Sequence, residues 1–409
     1  MGPGVRVWLS AGAMAVLAAC ASAPAGPALT PRQTGFIGDA ASLCDIVRQR
    51  YVYFDGKEAA WDAACADVPA RMAMAATGPE QLRVLEDLID VLYDPHVSFG
   101  TNSDVSPRLV PSGNDYWLED GRVTGVRPDS AAARAGLQVG DHVIAIDGQP
   151  LTDAVAERLR PAGTEPTEAQ LAWAANAAAA GYRGRARSVT VLRDGAALPL
   201  SLAGSLPDTE YTPVMAERLA GNIGYIRFNN SLGDGNTVPA FDEAAASLKG
   251  ARGWILDLRD TPGGGSTDIA EPVMGRFIRE EAPYQTILPP DDEAWQKRVA
   301  PRAPVIDGPL AILVGRWTGS MGEGMAIGFD ALRRGDVFGN EMAGLAGGVE
   351  TFVLDRSGLA IRIPTYGLAH VDGTPRQDWR PPHPVLADNG AGPDLALQAA
   401  SDWINSHED

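Results

Sequence analysis

From Ile223 onward the sequence alternates uninterrupted apolar strands with amphipathic helices, and few architectures accommodate that pattern. "IGYIRF", "AFDEAAASLKG", "GWILDLRD", a glycine run, "DIAEPVMGRFI" and "LAILVG" follow one another in order. Strands without polar alternation must be buried on both faces, so the pattern predicts an α/β sheet with helices on each side. The later stretch "TFVLDRSGLAIRIPTYG" reads as a hairpin turning through Asp355 and Gly358. At 409 residues the chain outgrows one hydrophobic core, and two or three domains are expected.

Two blocks of different period precede this half. Over residues 40–92, as in "LCDIVRQRYVYF" and "LRVLEDLIDVLY", apolar residues recur at helical spacing and predict a small helical domain. It ends at "DPHVSFG", where Pro95 and Gly100 break the helix and leave His96 in a turn. Residues 122–151 then read as a short strand, an Ala-rich helix closed by Gly136, and the strand "HVIAIDG" ending in a tight Asp-Gly turn. With Gly136-Leu137, Gly140-Asp141, Ile144, Ile146 and Gly148 in place, this block resembles a PDZ domain, closed by "SVTVLRDG" and running to about Leu206. PDZ domains take up an extended peptide as an added strand and hold its terminal carboxylate on backbone N–H groups, so a C-terminal peptide is the implied partner. The Ala-rich helical stretch 154–182 is longer than the usual PDZ helix.

The N-terminus reads as an export signal: a positive charge at Arg6, an apolar stretch over 7–19 too short to span a bilayer, then "LAAC". Leu17-Ala18-Ala19-Cys20 resembles the lipobox of bacterial lipoproteins, whose cysteine is acylated; the plainer reading is an ordinary signal peptide with an incidental cysteine. The Ala- and Pro-rich segment that follows has no apolar period and suits a tether. The expected location is the periplasmic side of a membrane, reached by a lipid anchor, and Ala21 favours the outer membrane. Cys44 and Cys65 then remain, either as a disulfide or as two separately buried thiols. A formal charge of -18 and the lack of a basic cluster argue against nucleic acid as a partner.

Chemistry concentrates in two loops. Ser320, with Glu323 three residues on, forms a capping box ahead of the apolar stripe Met321, Met325, Phe329 and Leu332. The same geometry aims a hydroxyl and the first helical N–H groups outward at the end of a buried strand, where α/β sheets place ligands and nucleophiles. "DLRDTPGGGS" sets Gly263, Gly264 and Gly265 at the end of another strand, where backbone N–H groups can approach a ligand closely or simply turn the chain. No HExxH, cysteine cluster or close histidine pair offers a metal site, and the glycine run lacks the Lys-Ser/Thr ending of a P-loop, so neither metal nor nucleotide cofactor is expected.

Taken together, "GYIRFNN", "ILDLRDTPGGG" and "AILVGRWTGSMGE" behind a PDZ-like block resemble the tail-specific, or C-terminal-processing, serine proteases and their tricorn-core relatives. The resemblance implies a helical N-terminal region, a PDZ domain and a ClpP/crotonase-like α/β core. The boundaries fall at 1–19 for the signal, 20–34 for the tether, 35–103 for the helical domain, 104–206 for the PDZ domain and 207–409 for the core. It implies a cell-envelope endopeptidase acting on polypeptides, with Ser320 as nucleophile and with Met321 and Gly263 or Gly264 holding the oxyanion. One branch of the family takes its base from a lysine in the loop "FGNEMAGLAGG"; here Leu345 stands at that position. The tricorn-like branch implies His96 as base and Asp378, in "DGTPRQDWRPPHP", as its orienting acid. Pro95 stands where that branch has serine, and Asp378, beside the neutral Gln377, stands where it has glutamate. His370 and His383 are spare candidates, while His142 lies in a PDZ strand and His407 in the tail. The alternative function is a non-catalytic peptide-binding or scaffold lipoprotein of the same fold.

Overall fold

The computed structural model describes residues 29–159, 165–202, 211–385 and 393–407. The proposed signal and Cys20 lie outside them.

Three helices open the described chain: α1 (Pro31–Arg50), α2 (Glu58–Met74) and α3 (Gly78–Ile89). Helix α1 starts inside the stretch read as tether, because Thr30 and Gln33 form a reciprocal capping box and Pro31 supplies the helical φ of the first turn. Thr77 and Glu80 cap α3 in the same way. Cys44 and Cys65 are joined by a disulfide between α1 and α2. A 3-10 turn, Asp90–Leu92, ends on Tyr93 in the left-handed conformation and delivers the His96 turn to the two-residue strand β1 (Ser98–Phe99). The helical block is not a free-standing unit. Its core residues Leu43, Trp61, Leu85 and Leu88 pack with Leu354, Leu359, Ile361 and Ile363 from the far end of the chain.

The PDZ-like block comprises β2 (Tyr116–Glu119), β3 (Arg122–Val126), α4 (Ala131–Arg134), β4 (His142–Ile146), β5 (Gln149–Pro150), α5 (Leu151–Arg158), α6 (Glu168–Ala180), β6 (Ser188–Arg193) and β7 (Ala196–Ser201). Its sheet runs in the order β2-β3-β4-β6-β7, which leaves β2 at an edge. The long Ala-rich stretch resolves into the two helices α5 and α6.

The core comprises β8 (Val214–Leu219), β9 (Ile223–Phe228), α7 (Thr237–Ser247), β10 (Gly253–Asp257), α8 (Thr267–Met274), β11 (Ala282–Leu288), β12 (Trp295–Val299), β13 (Leu310–Val314), α9 (Met321–Ala331), β14 (Asp336–Gly339), β15 (Gly348–Val353), β16 (Ala360–Ala369), β17 (His383–Pro384) and α10 (Leu395–Ser406). Strands β17-β14-β13-β10-β9 are parallel, with β8 added antiparallel at the edge. Every residue of β10 and β13 is buried. One sheet face packs against Phe241, Val273, Met325 and Phe329 from α7, α8 and α9, and the other against Ala400 and Ile404 from α10, as unbroken apolar strands require. The β15–β16 hairpin forms as read from its sequence, and β16 also pairs with β1 and β11 in a second sheet. The β1–β16 pairing brings the His96 turn, 224 residues away in sequence from Ser320, against the core.

Candidate active site

The strand β13 ends in a turn built to hold one residue in an unfavourable conformation. Thr318 Oγ1 donates to the Leu258 carbonyl (2.9 Å) and accepts from the Gly315 N–H (3.0 Å), and the Gly319 N–H donates to the Thr261 carbonyl (3.2 Å). Ser320 then sits at φ 51°, ψ -109°, a region that a side-chain-bearing residue adopts at a cost of about 1–3 kcal/mol. Its N–H donates to Glu323 Oε2 at 2.6 Å, the carboxylate half of a capping box. The serine hydroxyl is aimed elsewhere: its Oγ lies 3.1 Å from His96 Nε2.

The other imidazole nitrogen fixes the tautomer. His96 Nδ1 is 2.8 Å from the Ala346 carbonyl, which can only accept, so the proton is on Nδ1 and Nε2 is left to accept from Ser320. The His96 N–H donates to Asp94 Oδ1 and the Tyr51 hydroxyl donates to Asp94 Oδ2, both at 2.8 Å, which holds the turn. Burial, reinforced by the positive charge of Arg376, pushes the His96 value down to about 4, so the ring is neutral at physiological pH.

Asp378 does not occupy the place expected of an orienting acid. It is exposed, and the group on Nδ1 is a main-chain carbonyl. Residues 376–378 form a 3-10 turn, in which side chains two apart point in different directions, and it is Arg376 that turns inward. Only 4% exposed, Arg376 donates from Nε to the Leu345 carbonyl (3.0 Å) and from Nη2 to the carbonyls of Leu345 and Gly347 (2.6 Å to Gly347). Gln377 is half-buried, and its Oε1 has no hydrogen-bond partner among the described residues.

Two residues not selected from the sequence therefore shape the site. Glu323, fully buried, accepts from the N–H groups of Ser320, Gly344 (2.9 Å) and Leu345 (3.2 Å). Burial pushes its carboxyl up to about 7 against the opposing pull of Arg376 and the three N–H donors. Glu323 and Arg376 thus hold the 344–347 loop from its N–H and carbonyl sides and present the Ala346 carbonyl to His96. Leu345, at the position of the lysine in the other branch, is 4% exposed and serves through its backbone. The "TxSxxE" spacing carried a signal for Glu323; nothing local marked Arg376.

On the far side of the serine, Gly264 has φ 64°, and a Cβ added there would lie 2.4 Å from Ser320 Cβ and 3.2 Å from the Met321 nitrogen. Glycine keeps that space open. Met321 is the first residue of α9, so its N–H has no intrahelical acceptor, and its nitrogen borders the gap. The N–H groups of Gly263 and Gly264 do not, in this state, stand free as the expected oxyanion donors. The first donates to Asn230 Oδ1 (2.7 Å) and the second to the Thr261 carbonyl (3.1 Å), bonds that form the turn itself. The spare histidines lie with other partners: His370 Nε2 is 3.3 Å from Asp330, and His383 Nε2 is 2.7 Å from Asp336.

The sequence profile of Peptidase family S41 matches residues 222–380, and that of the PDZ domain matches residues 122–167. A carboxy-terminal-processing protease of Bartonella bacilliformis is 24% identical over 315 residues, covering 71% of this chain and 66% of the relative. One from Synechocystis sp. is 28% identical over 255 residues, covering 58% of this chain and 52% of the relative. The matched region thus spans between half and two thirds of these relatives' own length. Among solved structures, mature CPAF superposes with a TM-score of 0.59 at 13% identity, over 92% of this chain and 96% of that one. The photosystem II D1 C-terminal processing protease does so at 0.55 and 17%, over 93% and 98%. At such identities these two likenesses speak for the fold alone. Fold, paired domain matches and relatives agree: residues 222–380 match Peptidase family S41 behind a PDZ domain, and the chain is similar to the tail-specific, or carboxyl-terminal-processing, serine proteases.

Proposed function

We propose that the chain is a serine endopeptidase of the cell envelope that cleaves polypeptides through an acyl-enzyme. The observation that carries this reading is the 3.1 Å contact between Ser320 Oγ and the unprotonated Nε2 of His96. Ser320 Oγ attacks the peptide carbonyl carbon as His96 Nε2 takes its proton. The negative charge that develops on the carbonyl oxygen falls in the space kept open by Gly264, within reach of the Met321 N–H. His96 returns the proton to the departing amine, and the sequence repeats with water to release the acyl group. The Ala346 carbonyl orients the imidazole in place of a carboxylate, with Glu323 and Arg376 as positioning residues.

The polypeptide's C-terminal end docks by main-chain pairing at the edge of the PDZ sheet, the mode of binding general to such domains. A lipid on Cys20 tethers the enzyme to the periplasmic face of a membrane; the "LAAC" stretch supports this, and mass spectrometry of the native N-terminus should find an acylated Cys20. Among the described residues no helix is long and apolar enough to cross a membrane.

The test is incubation of the purified chain with an unstructured polypeptide, reading fragments by mass spectrometry. Internal cleavage that disappears in Ser320→Ala is expected. A folded chain that leaves the polypeptide intact would favour the peptide-binding scaffold instead.

A further inference from the structure

Helix α6 is built from the best helix-forming residue, alanine, and is closed at both ends by recognisable signals. Thr167 and Gln170 form a capping box at its start, and Gly181 at φ 67° stops it. One residue is out of place: Asn176, mid-helix, where asparagine is a poor helix former, and only 3% exposed, where a polar group must be bonded or costs stability. Its side chain is fully engaged. Asn176 Oδ1 accepts from the Leu118 N–H (3.0 Å), and Nδ2 donates to the Leu118 carbonyl (2.9 Å) and to the Ala172 carbonyl one turn back (3.1 Å).

Leu118 lies in β2, the edge strand of the PDZ sheet. A strand added to this edge would bond main-chain N–H and C=O groups of β2. The Asn176 carboxamide, a donor and an acceptor on one planar group, makes both of those bonds at Leu118, as the N–H and C=O of one residue of an incoming antiparallel strand would. We propose that α6 is the resident occupant of the β2 edge, an internal stand-in for a bound peptide, and that a polypeptide tail gains this edge only when α6 leaves it.

Three further contacts fasten the helix in place. Asn114, itself fully buried, donates from Nδ2 to the Asn176 carbonyl (2.8 Å). The Trp173 ring stands edge-on to Tyr93 at 5.2 Å between centroids, and the Arg158 guanidinium lies 5.6 Å from the Trp173 ring while pairing with Asp90 (3.1 Å). The anchors on Tyr93 and Asp90 lie outside the PDZ sheet, so the helix is held on the edge from two sides. The inference explains why the stretch is longer than a PDZ helix needs to be. It rests, for its consequence though not for the closure itself, on the reading that a polypeptide tail docks at the PDZ edge.

The experiment uses the full chain with Ser320→Ala as the non-cleaving background, with and without Asn176→Ala. Amide hydrogen exchange at Leu118 reads the closure, and fluorescence anisotropy of a pool of short fluorescein-labelled peptides with free apolar C-termini reads the edge. Asn176→Ala keeps a good helix former but leaves the Leu118 N–H without its acceptor, so its exchange should accelerate and peptide affinity rise by about tenfold. Unchanged exchange at Leu118 overturns the closure whatever the peptides do, and so does equal peptide affinity with and without Asn176→Ala. Faster exchange with no peptide bound by either protein leaves the closure standing and removes the docking reading. Should Asn176→Ala not fold, Trp173→Ala, which removes the contact with Tyr93 and spares the amide pair, reads the same two quantities and should shift both in the same direction.

Discussion

The serine and the histidine of the site are held in opposite ways. Ser320 is fixed by its own neighbourhood: Thr318 and Gly319 bond to the strand end beside them, Glu323 reaches back one turn, and Gly264 leaves the space. His96 is fixed by groups gathered from Tyr51, Asp94, Ala346 and Arg376. A proposed nucleophile set by backbone geometry can be recognised from a short motif, because the strained turn needs particular small and capping residues at fixed spacing. A proposed base set by remote side chains and one carbonyl has no motif of its own.

The sharpest way to break this comparison is His96→Ala. With Ser320 locally held, the variant should fold and keep the strained turn, yet lose peptide hydrolysis by roughly 10^4-fold or more in kcat, as expected when one member of a unit is removed. Undiminished hydrolysis would mean that the serine side alone is sufficient. Next in size is Gly264→Ala. A Cβ there collides with Ser320 Cβ and enters the space beside the Met321 N–H, so kcat should fall by roughly 10^2- to 10^3-fold, the cost of losing an oxyanion donor.

Arg376 separates charge from geometry on the histidine side. Arg376→Met removes both the carbonyl clamp and a positive charge facing His96; activity should drop roughly 10- to 100-fold through misplacement of the base. Its acid limb should move up from about 4, since one of the two causes of the depression is gone. Arg376→Lys keeps a charge but cannot span two carbonyls, so the rate should fall while the limb stays put. The other charged and titratable groups about this ring and its loop, Asp94, Tyr51 and Glu323, are unchanged in both variants. The smallest effect belongs to Asp378→Asn. Exposed and away from Nδ1, it should change kcat/KM by less than about twofold, within the range of ordinary surface substitutions.

Legibility in the sequence follows the same division. The parallel sheet could be read because β10 and β13 are apolar throughout, and the PDZ block because its turn glycines and strand residues come at set spacings. Ser320 and His96, which the fold brings to 3.1 Å, were both candidates from resemblance, the loop around Ser320 by itself reading equally as a helix cap. What replaced Asp378 could not be read, since any residue supplies a carbonyl, and only the folded loop shows that Ala346 is the one in reach. Asn176 was hidden for a related reason: in an Ala-rich helix a lone asparagine has no visible partner until β2 is laid beside it. Composition and period report which surface is buried, not which donor meets which acceptor.

The most direct test of the central claim, a neutral imidazole accepting the proton of Ser320, is the pH dependence of covalent labelling by a fluorophosphonate, with the modified residue mapped by mass spectrometry. The acceptor is competent only when unprotonated, so labelling must fall as pH falls through the His96 value. The account predicts modification at Ser320, an acid-side midpoint near the depressed value of about 4, and near-complete loss of the reaction in His96→Ala. Labelling at another residue, or labelling of Ser320 that His96→Ala leaves untouched, would contradict it.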